Sequence, residues 1–94
     1  MDQAFSKIKP HSEVVFTKLS DGEGILLNLQ TKLYYSLNST GSFLWQLIEK
    51  NPSLSVSDLG AKLLNHYQIP QNTAIKDTND FIQDLTGEGL LEFC

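Results

Sequence analysis

The chain holds a single cysteine, Cys94, at the last of its 94 positions. A lone thiol makes no internal disulfide, and the usual Cys-rich zinc site is equally out of reach. Long apolar runs are missing too. Nowhere do about 18 apolar residues follow one another, as a membrane-crossing helix requires, and the first ten residues carry Asp2 in place of a continuous apolar signal segment. Neither secretion nor membrane spanning is expected, and a cytoplasmic protein is. Basic charge is scarce. Seven Lys and Arg stand against eleven Asp and Glu, a net charge of −4 that repels phosphate backbones. Imidazole is scarcer still, with only His11 and His66, and neither has a nucleophile and an orienting carboxylate spaced for catalysis. The acidic pairs Glu13 with Asp21 and Asp77 with Asp80 have no evident cleft between them. The reading is of a non-enzyme without cofactor or metal.

What is present is a short chain with 40% hydrophobic residues gathered in periodic blocks, which favours a folded domain over disorder. A domain this small buries about 60–65% of its unfolded surface, leaving no room for a deep, walled active site. Residues 1–10 are mixed in character and end at Pro10, which has no ladder donor. They read as an arm, so the chain divides into an N-terminal arm at 1–12 and one domain at 13–94. Residues 13–19 alternate as a strand, with Val14 and Phe16 on one face and Val15 and Thr17 on the other. Ser20-Asp21-Gly22 then supplies turn chemistry. Gly22 and Gly24 flank Glu23 with no helix behind them, so they belong to this turn and not to a phosphate cradle. Residues 25–29 and 32–37 are two further β-prone runs separated only by Gln30 and Thr31, which predicts a tight hairpin. In the second run Leu33, Tyr35 and Leu37 share one face and Tyr34 takes the other.

Asn38 ends that run and is a good helix N-cap; Phe43, Leu44, Trp45, Leu47 and Ile48 then form a wide apolar arc on a helix from Ser39 to about Lys50. Asn51 and Pro52 stop it. Ser55 opens a second helix with Asp58 in a capping box that uses the shorter acid. Val56, Leu59, Leu63, Leu64 and Tyr67 share one face of it, and Gly60 lies on that face as a point of close helix approach. Pro70 and Asn72 break the chain again. Residues 73–85 predict a third helix with Ala74, Ile75, Thr78, Ile82 and Leu85 inward and Phe81 beside them. Gly87-Glu88-Gly89 ends it, and residues 90–93 read as a last strand or an extended segment laid against the sheet. The fold class is α+β: three antiparallel strands, three helices and a short C-terminal strand or tail, close to a winged helix-turn-helix.

The run Leu33-Tyr34-Tyr35-Ser36-Leu37, the following Asn38-Ser39-Thr40-Gly41, Trp45 and Leu47, and the later series Leu59, Leu63, Tyr67, Asp77, Phe81, Leu85 and Gly89-Leu90-Leu91 resemble the PqqD-like family. These are the small recognition domains of ribosomally made, post-translationally modified peptide (RiPP) pathways, and the likeness covers roughly residues 14–93. The resemblance implies that a precursor's leader peptide adds as an extended strand beside the third strand. It would lie in the groove between that strand and the third helix. Carried onto this chain, the edge is Leu33, Tyr34, Tyr35, Ser36 and Leu37, and the facing wall is Asp77, Asp80, Phe81 and Asp84. The implied partner is a separate modifying enzyme: a radical S-adenosylmethionine enzyme of quinone-cofactor synthesis, or a leader peptidase with a cyclase in lasso-peptide pathways.

Two other readings compete. A winged helix-turn-helix invites duplex DNA, yet the third helix offers only Lys76 among Asp77, Asp80 and Asp84, so nucleic acid is a poor partner. An exposed edge could also pair with its own copy in a weak homodimer. For Tyr34 alone, packing competes with ligand contact, and for the aspartates a plainly solvated face competes with a groove wall.

Overall fold

A computed structural model describes residues 7–51 and 54–93. The Ser20-Asp21-Gly22 turn folds β2 (Val14–Lys18) back onto β3 (Gly24–Asn28), with Gly22 at φ +91° and the Glu23 amide donating to Asp21 Oδ1 at 3.0 Å. β3 pairs in turn with β4 (Tyr34–Leu37), giving an antiparallel sheet in the order β2-β3-β4. The β3–β4 connection is longer than the two-residue hairpin expected at Gln30-Thr31. Asn28, buried, accepts the amides of Gln30 and Thr31 on its side-chain oxygen at 2.9 and 3.2 Å, and Lys32 turns left-handed at φ +66°. The buried amide oxygen thus substitutes for ladder partners that the turn residues lack. Lys32 and Leu33 consequently fall outside the strand.

Strand β4 passes into helix α1 (Ser39–Lys50) at Asn38, whose Oδ1 accepts from the Gly41 amide at 2.8 Å. Leu44, Trp45 and Ile48 of α1 are almost wholly buried on the inner sheet face with Leu26 and Leu37. Helix α2 (Val56–Tyr67) begins with the expected capping box: the Asp58 amide donates to Ser55 Oγ at 3.1 Å, and the Ser55 amide donates to Asp58 Oδ2 at 3.0 Å. The hydrogen bond from the Ser55 amide, followed by that to the hydroxyl, holds the exposed Asp58 carboxyl below the usual aspartate range. Helix α3 spans Gln71–Gly87, two residues longer at each end than expected. Pro70 does not delay it. Proline fits just outside a helix start because it has no amide to satisfy, and its carbonyl accepts from Ala74. The helix closes at Gly89 (φ +73°) in a Schellman arrangement, with Leu90 donating to Leu85 at 2.8 Å and Gly89 to Thr86 at 3.2 Å. Ile75 and Tyr67, expected inward, are exposed, because each lies at the margin of its helix's buried stripe.

The N-terminal segment corrects the arm reading. Ile8–Pro10 forms a strand, β1, antiparallel to β5 (Leu91–Phe93), with Ile8 opposite Phe93 and Pro10 opposite Leu91. This is a separate two-stranded sheet, so β5 does not lie on the three-stranded one. Ile8 is only 1% exposed and joins the core, so its side chain outweighs the polar residues around it. Pro10 is accommodated at the end of a short edge strand. Residues 1–6, 52–53 and 94 lie outside the described residues, and with them the expected helix stop at Pro52 and the lone Cys94. No helix among the described residues is long and apolar enough to cross a membrane.

Two measurements check this packing. Ile8→Ala is expected to cost about 2–4 kcal/mol in urea unfolding; a loss near zero would return the segment to an arm. The glycines divide. A Cβ on Gly24 would fall 2.6 Å from Ser42 Oγ and closer still to the Phe16 ring, whereas one on Gly60 meets nothing nearer than Thr78 Oγ1 at 3.9 Å. Close helix approach therefore does not require Gly60. Gly60→Ala is expected to stabilise the fold by about 0.5–1 kcal/mol through helix propensity, and Gly24→Ala to destabilise it by about 1–3 kcal/mol through overpacking. Thermal melts of both variants read the opposite signs.

Candidate functional site

Among the described residues, strand β4 has a strand neighbour on one side only. The direction of its free backbone groups follows from register. Asn28 donates to Leu33 at 3.0 Å, and Leu26 faces Tyr35 while Gly24 faces Leu37. Because antiparallel pairs alternate between bonded and non-bonded, Tyr35 and Leu37 turn their amides and carbonyls toward β3, as Leu33 turns its carbonyl, its amide donating instead to Thr31 Oγ1 at 3.3 Å. Tyr34 and Ser36 turn theirs away from the sheet. The same alternation directs side chains: Leu37 is buried and Tyr35 half-buried on the inner face, while Tyr34 is 73% exposed on the outer one. Leu33, expected with Tyr35 and Leu37, is instead 68% exposed because it belongs to the turn.

Beside the inner face of β4 runs an open groove of about 290 Å³. One wall is Tyr35, Ser36 and Leu37; the opposite wall is Asp77, Phe81 and Asp84 of α3. These three sit four and then three residues apart, so they share one helix face. Asp80 stands off that face. Its carboxylate accepts from Lys76 Nζ at 2.8 Å, an exposed i,i+4 pair that lifts the lysine above its ordinary range, the hydrogen bond contributing most. The structure thus brings together six of the nine expected site residues and leaves Leu33, Tyr34 and Asp80 off the groove lining.

The groove lining also includes a corner and a floor that sequence reasoning did not assign. Asn38, Thr40 and Gly41 form the strand-to-helix junction, while Leu44 and Leu85 lie at the bottom. The capping signal at Asn38 locates the junction in sequence, but it says nothing of a groove, which needs α3 to be placed first. A Cβ on Gly41 would crowd Leu37 Cδ2 at 3.3 Å and Asn38 Oδ1 at 3.4 Å, so the corner is tightly packed. Tyr35 sits nearest the Asp84 end. Burial raises its hydroxyl above the usual 10.0, and the carboxylates of Asp84 and Glu88 raise it further.

Residues 23–91 match the family described as Coenzyme PQQ synthesis protein D (PqqD). The chain belongs to the PqqD family. The family match spans β3 to β5 and so takes in both walls of the groove. Among solved structures, this PqqD-family chain is similar to TbiB1 in complex with the TbiA(beta) leader peptide. The two share 31% identity and a TM-score of 0.80, over 89% of this chain and 94% of that one. A lasso peptide synthetase B1 complexed with the leader peptide has the same fold, at 20% identity and a TM-score of 0.78, over 92% of this chain and 98% of that one. No curated protein matches the sequence.

The raised Tyr35 hydroxyl gives a pH prediction. The folded chain holds this proton more tightly than the unfolded chain does. Its stabilising contribution is therefore complete below pH 10 and is lost as pH rises through the folded-state value. Asp84→Asn is expected to lower the Tyr35 ionisation toward 10 without reaching it, because burial remains. Following the ring carbon resonances of Tyr35 by NMR checks this, and an unchanged titration would separate Asp84 from the hydroxyl.

Proposed function

We propose that this PqqD-family domain is a recognition element without catalytic activity of its own. It holds the leader segment of a ribosomally made precursor peptide and presents the attached core to a separate enzyme. The observation that carries this reading is the outward-facing backbone of Tyr34 and Ser36 beside an open groove. An extended peptide bonding to those groups continues the sheet as a further strand, and alternate side chains then enter the groove between β4 and α3. Backbone bonds give affinity with little demand on leader sequence; Phe81, Leu37 and the two groove-facing aspartates give selection. Leu33 and Tyr34 contribute outside the groove, at the start of the edge and on its outer face, and Asp80 lies at the rim. Leader binding by TbiB1, a chain similar over nearly the whole length, supports the reading.

Presentation then works through effective concentration, since a tethered core meets the enzyme without needing affinity of its own. The enzyme that acts on it is a separate cytoplasmic protein, a leader peptidase working with a cyclase or a radical S-adenosylmethionine enzyme.

An amide NMR titration with synthetic leader segments from short reading frames beside the gene tests the proposal, with duplex DNA as control. Shifts are expected along β4 and the groove face of α3, with affinities of about 0.1–10 μM. Silence with every leader would overturn it. The informative substitution is Ser36→Pro. It removes an outward amide and spares the β3 ladder, whereas proline at Tyr35 or Leu37 would break the sheet itself. Ser36→Pro is expected to weaken leader binding by about tenfold or more while the helix resonances stay in place. Unchanged affinity in that folded variant would move the peptide to the other open edge, β2.

A further inference from the structure

We infer that the groove selects leaders in which a groove-facing apolar residue is flanked, two positions away on at least one side, by Lys or Arg. The inference rests on β4 being the leader edge and adds what the leader must carry. Register decides which leader residues matter. A strand added beside β4 places its residues opposite Tyr35 and Leu37 on the inner face, and those opposite Tyr34 and Ser36 on the outer face. Groove-facing positions therefore recur at every second leader residue.

The chemistry awaiting them is uneven. Phe81 lies between Asp77 and Asp84 on the same face of α3, above a floor that includes Leu44 and Leu85. Asp77 and Asp84 are separated by seven residues, about 10.5 Å of helix rise. Three successive groove-facing leader positions span about 13 Å. A central apolar side chain over Phe81 thus leaves the outer two within reach of the carboxylates on flexible stems. Among the described residues neither Asp77 nor Asp84 has an ion-pair partner, in contrast to Asp80, which Lys76 holds outside the groove. Glu88 adds negative charge at the Tyr35 end. A leader bearing acids at the flanking positions would meet like charge in a confined groove. One bearing neutral residues would leave two carboxylates partly desolvated and unpaired.

The test uses fluorescein-labelled synthetic leaders from short reading frames beside the gene, each made with Lys, Gln or Glu at the positions two residues from its apolar anchors. The Lys forms are expected to bind about three- to tenfold more tightly than the Gln forms at low salt, and the Glu forms most weakly. That advantage should vanish in Asp77→Asn/Asp84→Asn, weaken in either single variant and persist in Asp80→Asn, which matches each single variant in net charge. If the double variant does not fold, the wild-type domain still reads the effect, since the Lys advantage must shrink as salt rises. Leaders that bind equally well in all three forms would overturn the inference and leave leader recognition standing. A domain that binds none of them would remove both.

Discussion

The hydrogen bond from the Gly41 amide to Asn38 Oδ1 fixes the geometry on which the groove depends. It ends the edge strand and opens α1 within one residue, so strand and helix share a corner with no loop to absorb error. Leu37 goes into the core just before that corner and Leu44 two turns after it, and both are nearly inaccessible to solvent. The inner face of β4 is thereby clamped to α1 at one end while its free edge stays open. Helix α3, held by α2 and by its Schellman link to β5, then stands opposite as the far wall. The groove is what remains between three elements that cannot move closer.

That arrangement separates two tasks that edge strands usually confuse. An open edge is a hazard because it pairs with any extended chain. Here the edge is four residues long, and a left-handed Lys32 and exposed turn cut it off at one end while a helix cap does so at the other. Few bonds are available, so an indiscriminate partner gains little unless its side chains also suit the groove. The aspartates of α3 sharpen the filter. Two face the groove and one pairs with Lys76 outside it, a division set by how α3 is turned toward β4.

Much of this was readable before any coordinates. The three meandering strands, the Asn38 and Ser55 caps, the Gly89 helix end and the inward set Leu44, Trp45, Ile48, Leu59, Leu63, Ile82 and Leu85 follow from local chemistry and periodicity, which act over a few residues. The misses involve partners distant in sequence. Ile8 sits among lysines and ahead of a proline, and only β5, some eighty residues later, makes it a core residue. Asn28 lies within the β-prone run 25–29 with nothing local to single it out, yet its side chain sets the length of the next turn. Asp80 was grouped with Asp77 and Asp84 because spacings of three and four all suggest one face. Its pairing with Lys76 and its angular offset emerge only when α3 is oriented against β4. Ser42 is likewise buried, with a hydroxyl that has no hydrogen-bond partner among the described residues.

The β1–β5 pair has a mechanical corollary. Ile8 faces Phe93 and Pro10 faces Leu91, so the strands leading to both ends of the described fold emerge side by side at the same end of a two-stranded ribbon. Tension applied across the ends loads its backbone bonds one after another, like opening a zipper, instead of shearing them together. Ribbons opened in this way yield at low force whatever the thermal stability of the body they close. Resistance to a machine that pulls from either terminus would then rest on the burial of Ile8 and Leu91, and on how quickly the two strands close again after slipping.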